Sequence, residues 1–322
     1  MPHVKHYQYS LFITAILMAN FIFALPEAFR ASVFHVLEAP KVEIKEVAGD
    51  QPDQSAKLVL NIRSEFIEDA LLIVENGKIL KLGHYEELIG DLNSAVTVND
   101  FQGRIIVPGF IDTHIHYPQT QMMAAHGEQL LEWLNRYTFP TEKQFADKTH
   151  AKKVSKVFLD ELLRNGTTTA LVFGTVHPQS VDAFFEEAQE RKLRMIAGKV
   201  MMDRIPFAPE GLRDTAQSSF DESKELIEKW HNKDRLLYAI TPRFAITSTP
   251  EQLAAASRLK ELYPDVYIHT HVSENKSEVD HAKSLFPEKN PSADPKKARS
   301  YLGIYNDFGL VRKKSVFAHG IY

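Results

Sequence analysis

The stretch Ile105-Ile106-Val107-Pro108-Gly109-Phe110-Ile111-Asp112-Thr113-His114-Ile115-His116 decides the fold. An apolar run passes through a Pro-Gly break into a second apolar run, which ends in two histidines one residue apart. On a strand the side-chain period is two, so His114 and His116 share a face at the C-terminal end. Downstream, apolar runs at Thr168–Phe173, Met195–Met202, Leu236–Thr241, Val266–His271 and Val316–His319 alternate with amphipathic segments. Those segments are Glu142–Arg164, Ser180–Arg191, Thr215–Trp230, Pro250–Tyr263 and Lys276–Phe286. Short buried strands alternating with helices imply an α/β fold on a parallel sheet. Counting Ile105 onward as the first, six βα units are expected. A (β/α)8 TIM-type barrel has eight and takes about 250 residues, so the 218 residues from Ile105 to Tyr322 read as an incomplete barrel.

Upstream the pattern differs. Ser32–Leu37, Lys41–Val47, Leu58–Asn61, Leu71–Val74 and Ile79–Leu82 are short β-type runs, and Asn76-Gly77 between the last two is a hairpin signal. A small β-sandwich-like domain over residues 29–104 is expected, with Gly49–Gln54 as a polar loop and the barrel over 105–322. Pro287–Lys297 reads as a surface excursion. Residues 1–28 form an apolar extension in which Leu11–Leu25 resembles the core of a signal peptide. Fifteen residues fall short of the roughly 20 that span a bilayer. Three readings stand open: an upstream start-site error, a signal or membrane anchor, or a packed helix. The chemistry downstream favours the first and a cytoplasmic location.

The 322 residues carry a formal charge of −4, which argues against a basic surface for nucleic acid. There is no cysteine, so disulfide scaffolds, thiol nucleophiles and thiolate metal sites are excluded. A metal would have to be held by histidine and carboxylate. Besides His114 and His116, the fifth strand ends in His269-Thr270-His271 and the sixth in Ala318-His319. His271, nearer the mouth, is the expected ligand, with His269 packed behind it, and His319 is expected in the same register. Four histidines, His114, His116, His271 and His319, on three strand ends are a metal-ligand pattern. Glu274, three residues past His271, would reach over a water whose pKa such a metal lowers to roughly 7, and could shuttle its proton. Arg243, after the fourth strand, and Gln119 offer hydrogen bonds to a flat polar ring, the alternative for Arg243 being a structural ion pair with an acidic loop. Leu130-Leu131-Glu132-Trp133-Leu134 reads either as helix core or as a pocket wall.

Val107–His116 resembles the first-strand signature of the amidohydrolase superfamily. More narrowly, Gly127–Asn135 with Thr138-Phe139-Pro140, Asn165–Ala170, Thr241-Pro242-Arg243-Phe244, His271–Asn275 and Ala318-His319-Gly320 resemble the guanine deaminases. The likeness runs from about Phe29 to Tyr322. It implies a composite β-domain with a metal-dependent barrel, one Zn2+ per subunit, hydrolysis of guanine to xanthine and ammonia, and a cytoplasmic homodimer. Carried over by position, His114, His116, His271 and His319 would bind metal, and Glu274 would be the proton shuttle. Gln119, Arg243 and Phe244 would contact guanine. The family's eighth-strand Asp would lie beyond Tyr322, so this stretch reads as an N-terminal fragment, expected to be inactive or poorly folded alone. Another heterocyclic aminohydrolase, or a non-catalytic scaffold of the superfamily, is the alternative reading. Iron suits the same ligands as zinc.

Overall fold

In a computed structural model, residues 25–37, 41–45, 57–61, 63–127, 129–288 and 299–322 are described. The loop expected at Gly49–Gln54 lies outside them, as do the apolar run before Leu25 and most of the excursion from residue 289. No helix among the described residues is long and apolar enough to cross a membrane. The chain divides into two compact units between Phe110 and Ile111.

The first unit is built on the Asn-Gly hairpin. Asn76 and Gly77 both take positive φ, 52° and 72°, the conformation that a two-residue turn between right-twisted strands requires. They join β4 (Ser64–Glu75) to β5 (Lys78–His84); β1 (Glu27–Val36) pairs antiparallel with β4 and parallel with β6 (Val98–Ile106), giving the order β5-β4-β1-β6. A separate antiparallel ribbon joins β2 (Lys41–Lys45) and β3 (Lys57–Asn61). One face of the larger sheet buries Val33, Ile67 and Ala70; Ala28, Leu71 and Ile73 are covered by α1 (Tyr85–Leu88) and its flanks. Arg30 makes a two-pronged bond to Asp69, 2.8 Å on each arm, beneath its stack on Tyr85. Here one expectation fails. Ile105 and Ile106 do not open the barrel: they end β6, opposite Ser32 and Val33 of β1. An apolar run does not say in which sheet a strand lies; Ile105 is 61% exposed, and the division of the chain falls after Phe110.

In the second unit β7 (Phe110–His116), β8 (Thr167–Phe173), β9 (Arg194–Gly198), β11 (Leu237–Pro242), β12 (Tyr267–Val272) and β13 (Ser315–His319) lie side by side in chain order, with the short β10 (Val200–Met201) on β11. The pairs resolved in register from β8 to β13 are parallel. Six staves in sequence order with helical returns are the expected barrel units. The helices are α2 (Leu130–Trp133), α3 (Phe139–Lys143), α4 (Lys148–Arg164), α5 (Pro178–Glu190), α6 (Ala216–Trp230), α7 (Pro250–Leu262), α8 (Lys276–Leu285) and α9 (Tyr301–Asp307). The segment expected as one helix over Glu142–Arg164 is broken: Asp147 accepts the Thr149 N–H and restarts it as α4. α6 and α8 begin on reciprocal caps, Thr215 with Ser218 and Asn275 with Glu278. Leu171, Ile196, Leu237 and Ala239 cluster with Tyr267 and Val316 as one layer, while the intervening residues face the helices. That layer sets the inward register of every strand above it.

Candidate metal centre

Counting by twos from the interior layer predicts what each strand delivers to its C-terminal end. On β11, Leu237 and Ala239 lead to Thr241 and then Arg243. On β12, Tyr267 leads to His269 and His271, and on β8, Leu171 leads to Phe173. All of them arrive. Phe173 forms an apolar floor, its ring 4.4 Å from those of His269 and His271, 4.5 Å from His116 and 5.4 Å from His114. β13 is the exception. Val316 faces inward, so His319 would face away by alternation, contrary to the shared register expected from sequence. Its left-handed backbone, φ 76°, swings the ring back over the mouth. Such a conformation is uncommon outside glycine, and here it sits at the candidate site.

The rings of His114, His116, His271 and His319 gather with centroids 4.7 to 5.4 Å apart in the pairs that touch. Ring nitrogens of His114, His271 and His319 lie within 4.8 Å of one another. His271 Nδ1 lies 2.8 Å from the Arg243 carbonyl, which can only accept, so Nδ1 carries the proton and Nε2 is a bare lone pair. That Nε2 meets His116 Nε2 at 3.0 Å, while His116 Nδ1 is buried without a hydrogen-bond partner. His269, fully buried, abuts His114 Nδ1 at 2.9 Å and is left behind the cluster. Burial pushes the protonation of His114 down to about 4, helped by His319 and Arg243, and holds His116, His269 and His271 well below the ordinary histidine range. Neutral imidazoles of His114, His271 and His319, whose ring nitrogens converge, fit a divalent cation of borderline softness, while His116 turns its Nε2 to His271 beside them.

Around this cluster is a cavity of about 130 Å³, lined by His114, His116, Gln119, Arg243, Phe244, His271, Glu274 and His319 with Leu130, Trp133 and Leu134. The Leu130–Leu134 stripe thus serves both readings, since Leu134 is also core. Outside it a wider recess of about 520 Å³ shares Leu130, Trp133 and Glu274. Glu274 Oε2 lies 3.4 Å from His319 Nε2, and burial raises its carboxyl above the usual range against the opposing pull of Arg243. Arg243 is buried, its Nη1 donating to Glu142 Oε2 at 2.7 Å and its guanidinium lying over the Phe139 ring. Glu142 and Phe173 were not singled out in the sequence. Phe173 could have been, as the last inward position of its run; Glu142 carried no signal, being 101 residues from its partner.

Residues 105–322 match the model of the amidohydrolase family. A guanine deaminase of Escherichia coli K12 is 52% identical over 290 residues, which is 89% of this chain and 62% of that protein. The solved structure of the E. coli guanine deaminase superposes with a TM-score of 0.78 at 51% identity, covering 92% of this chain and 63% of that one. The guanine deaminase of Bradyrhizobium japonicum gives 0.78 at 37%, covering 93% and 59%. The chain therefore spans about three-fifths of the length of these relatives. Parallel staves, histidines on three strand ends and a match over the whole of the second unit agree, and the chain belongs to the amidohydrolase family, which implies a metal ion.

Proposed function

We propose that the protein is a guanine deaminase, hydrolysing guanine to xanthine and ammonia. The observation that supports this best is the single cavity in which a histidine cluster, an acid with a raised pKa and a buried guanidinium meet. His114, His116, His271 and His319 would hold the cation, and when bound it acts as a Lewis acid that acidifies water at neutral pH. Glu274 stands beside the cluster and would carry one proton of the attacking water to the ring nitrogen, then the second, from the new hydroxyl, to the departing amine. A carboxyl raised by burial suits both halves of that task. The C2–O bond forms as the ring C2=N double bond opens onto the protonated nitrogen; collapse of the new hydroxyl to a carbonyl then breaks the C2–N bond to the protonated amine, and ammonia leaves. Arg243 and Gln119 would hold the ring by its carbonyl oxygen and adjacent nitrogens, with Phe244, Leu130 and Trp133 closing its faces and excluding water.

The reading extends to one zinc ion per chain, a homodimer and a cytoplasmic role in purine breakdown, with no nucleic-acid partner. These rest on the likeness to guanine deaminases. The test is metal analysis of the purified full-length protein together with chromatographic detection of xanthine from guanine. Metal-loaded protein that forms no xanthine overturns the proposal.

A further inference from the structure

Arg243 carries two duties from one residue: its carbonyl orients His271, and its side chain enters the cavity. The second duty has its own support. Glu142, in α3, is 1% exposed, and its Oε2 receives Arg243 Nη1 at 2.7 Å with both side chains out of water. Its other oxygen, Oε1, is buried without a hydrogen bond of standard geometry. The amide of Gln119, the other polar side chain expected to read the ring, acts on the same carboxylate. A buried carboxylate between two recognition groups accepts only, so it draws N–H groups of both toward itself. That restricts which face of the guanidinium fork and which end of the amide remain for a ligand. A lone guanidinium on a flexible stem would have no such preference.

We infer that Glu142 is a positioning residue that presets Arg243 and Gln119, and so determines selection of a ring bearing a carbonyl oxygen. This rests on the proposed guanine deaminase activity. Glu142 does not contact the cluster of histidines; it acts through Arg243 and Gln119 alone. Removing its charge should therefore weaken ring binding while metal retention and the chemical step persist.

The experiment compares wild type, Glu142→Gln, Arg243→Ala and the double variant in the full-length protein, measuring bound metal and steady-state kinetics with guanine and 2-aminopurine, which lacks the oxygen. For E142Q the expected result is a guanine KM raised about tenfold or more, the equivalent of losing one good charged hydrogen bond. kcat should stay within about threefold of wild type, metal content should be unchanged, and the preference for guanine over 2-aminopurine should shrink. In the Arg243→Ala background, adding E142Q should raise the guanine KM by a smaller factor than it does in the wild type, since only the part of its effect that runs through Gln119 remains. Glu142→Asp, which keeps the charge but withdraws it by a methylene, should fall between wild type and E142Q and serves if E142Q does not fold. Unchanged KM and selectivity in the variants, or a loss of bound metal parallel to the loss of activity, would overturn the role of Glu142. A wild type inactive on guanine would overturn the activity itself and this inference with it.

Discussion

His271 donates its Nδ1 proton to the main-chain carbonyl of Arg243 across 2.8 Å, so the residue that follows β11 sets the tautomer of a histidine on β12. Because the contact is to backbone, it survives any change of the Arg243 side chain. Arg243→Ala is therefore expected to retain metal while losing guanine turnover by at least about a hundredfold, given one or two charged hydrogen bonds. It should also destabilise the fold by about 3–5 kcal/mol, because Glu142 is left buried and unpaired. Elemental analysis, activity and urea unfolding on one sample read all three.

His116→Ala tests the cluster itself. Losing an outer hydrogen-bond partner of a metal ligand typically weakens affinity about 10–100-fold, and losing a ligand should do no less. The expected outcome is a sharp fall in metal per chain and loss of the stabilisation that added metal gives the wild type in thermal unfolding. A variant that still takes up stoichiometric metal would remove His116 from the ligand set.

Glu274 stands at the cavity wall, 3.4 Å from His319. Replacing it by Gln preserves shape and removes the proton acceptor. kcat is expected to fall by about 10²–10⁴ with KM and metal content nearly unchanged, the size typical of general acid–base catalysis. If KM rises instead and kcat holds, Glu274 binds the ring rather than moving protons.

Gly198 lies where β9 gives way to β10 beside β11. A Cβ built there would come within 1.8 Å of the Ala239 carbonyl oxygen, a backbone atom that cannot step aside cheaply. Gly198→Ala should cost on the order of 3 kcal/mol, the upper range for forced overpacking. A denaturation midpoint equal to wild type would show that the two strands can part.

His231 provides a pH test away from the cavity. Its Nδ1 accepts the Tyr238 N–H at 3.1 Å, which only a neutral ring can do, and burial lowers its protonation further despite Asp265 nearby. The unfolded chain therefore takes up the proton first, and stability is lost as pH falls below about 6.5, levelling off below the folded-state value. His231→Asn keeps an acceptor without the titration. Its unfolding free energy should decline less between pH 8 and pH 5 than that of the wild type; equal slopes would remove His231 from the acid response.

The elements legible in advance were those specified by neighbours in the chain. Asn76-Gly77 dictates its hairpin, and alternation places His114 with His116. The failures came where a short segment gave the wrong cue or too little. Ile105-Ile106 joined the other sheet, Asp147 cut a helix in two, and α9, seven residues with Gly303 inside, gave no periodic signal of its own.

By itself, then, the sequence determined which side chains of β7 and β12 stand together at the mouth end, because a period of two residues is a property of local backbone geometry. Tertiary structure alone decided that Glu142 would meet Arg243, that Phe173 would floor the histidines and that His319 would turn inward against its own strand. Those outcomes depend on how strands and helices far apart in the chain are stacked, and burial makes a partner worth finding at any distance along it.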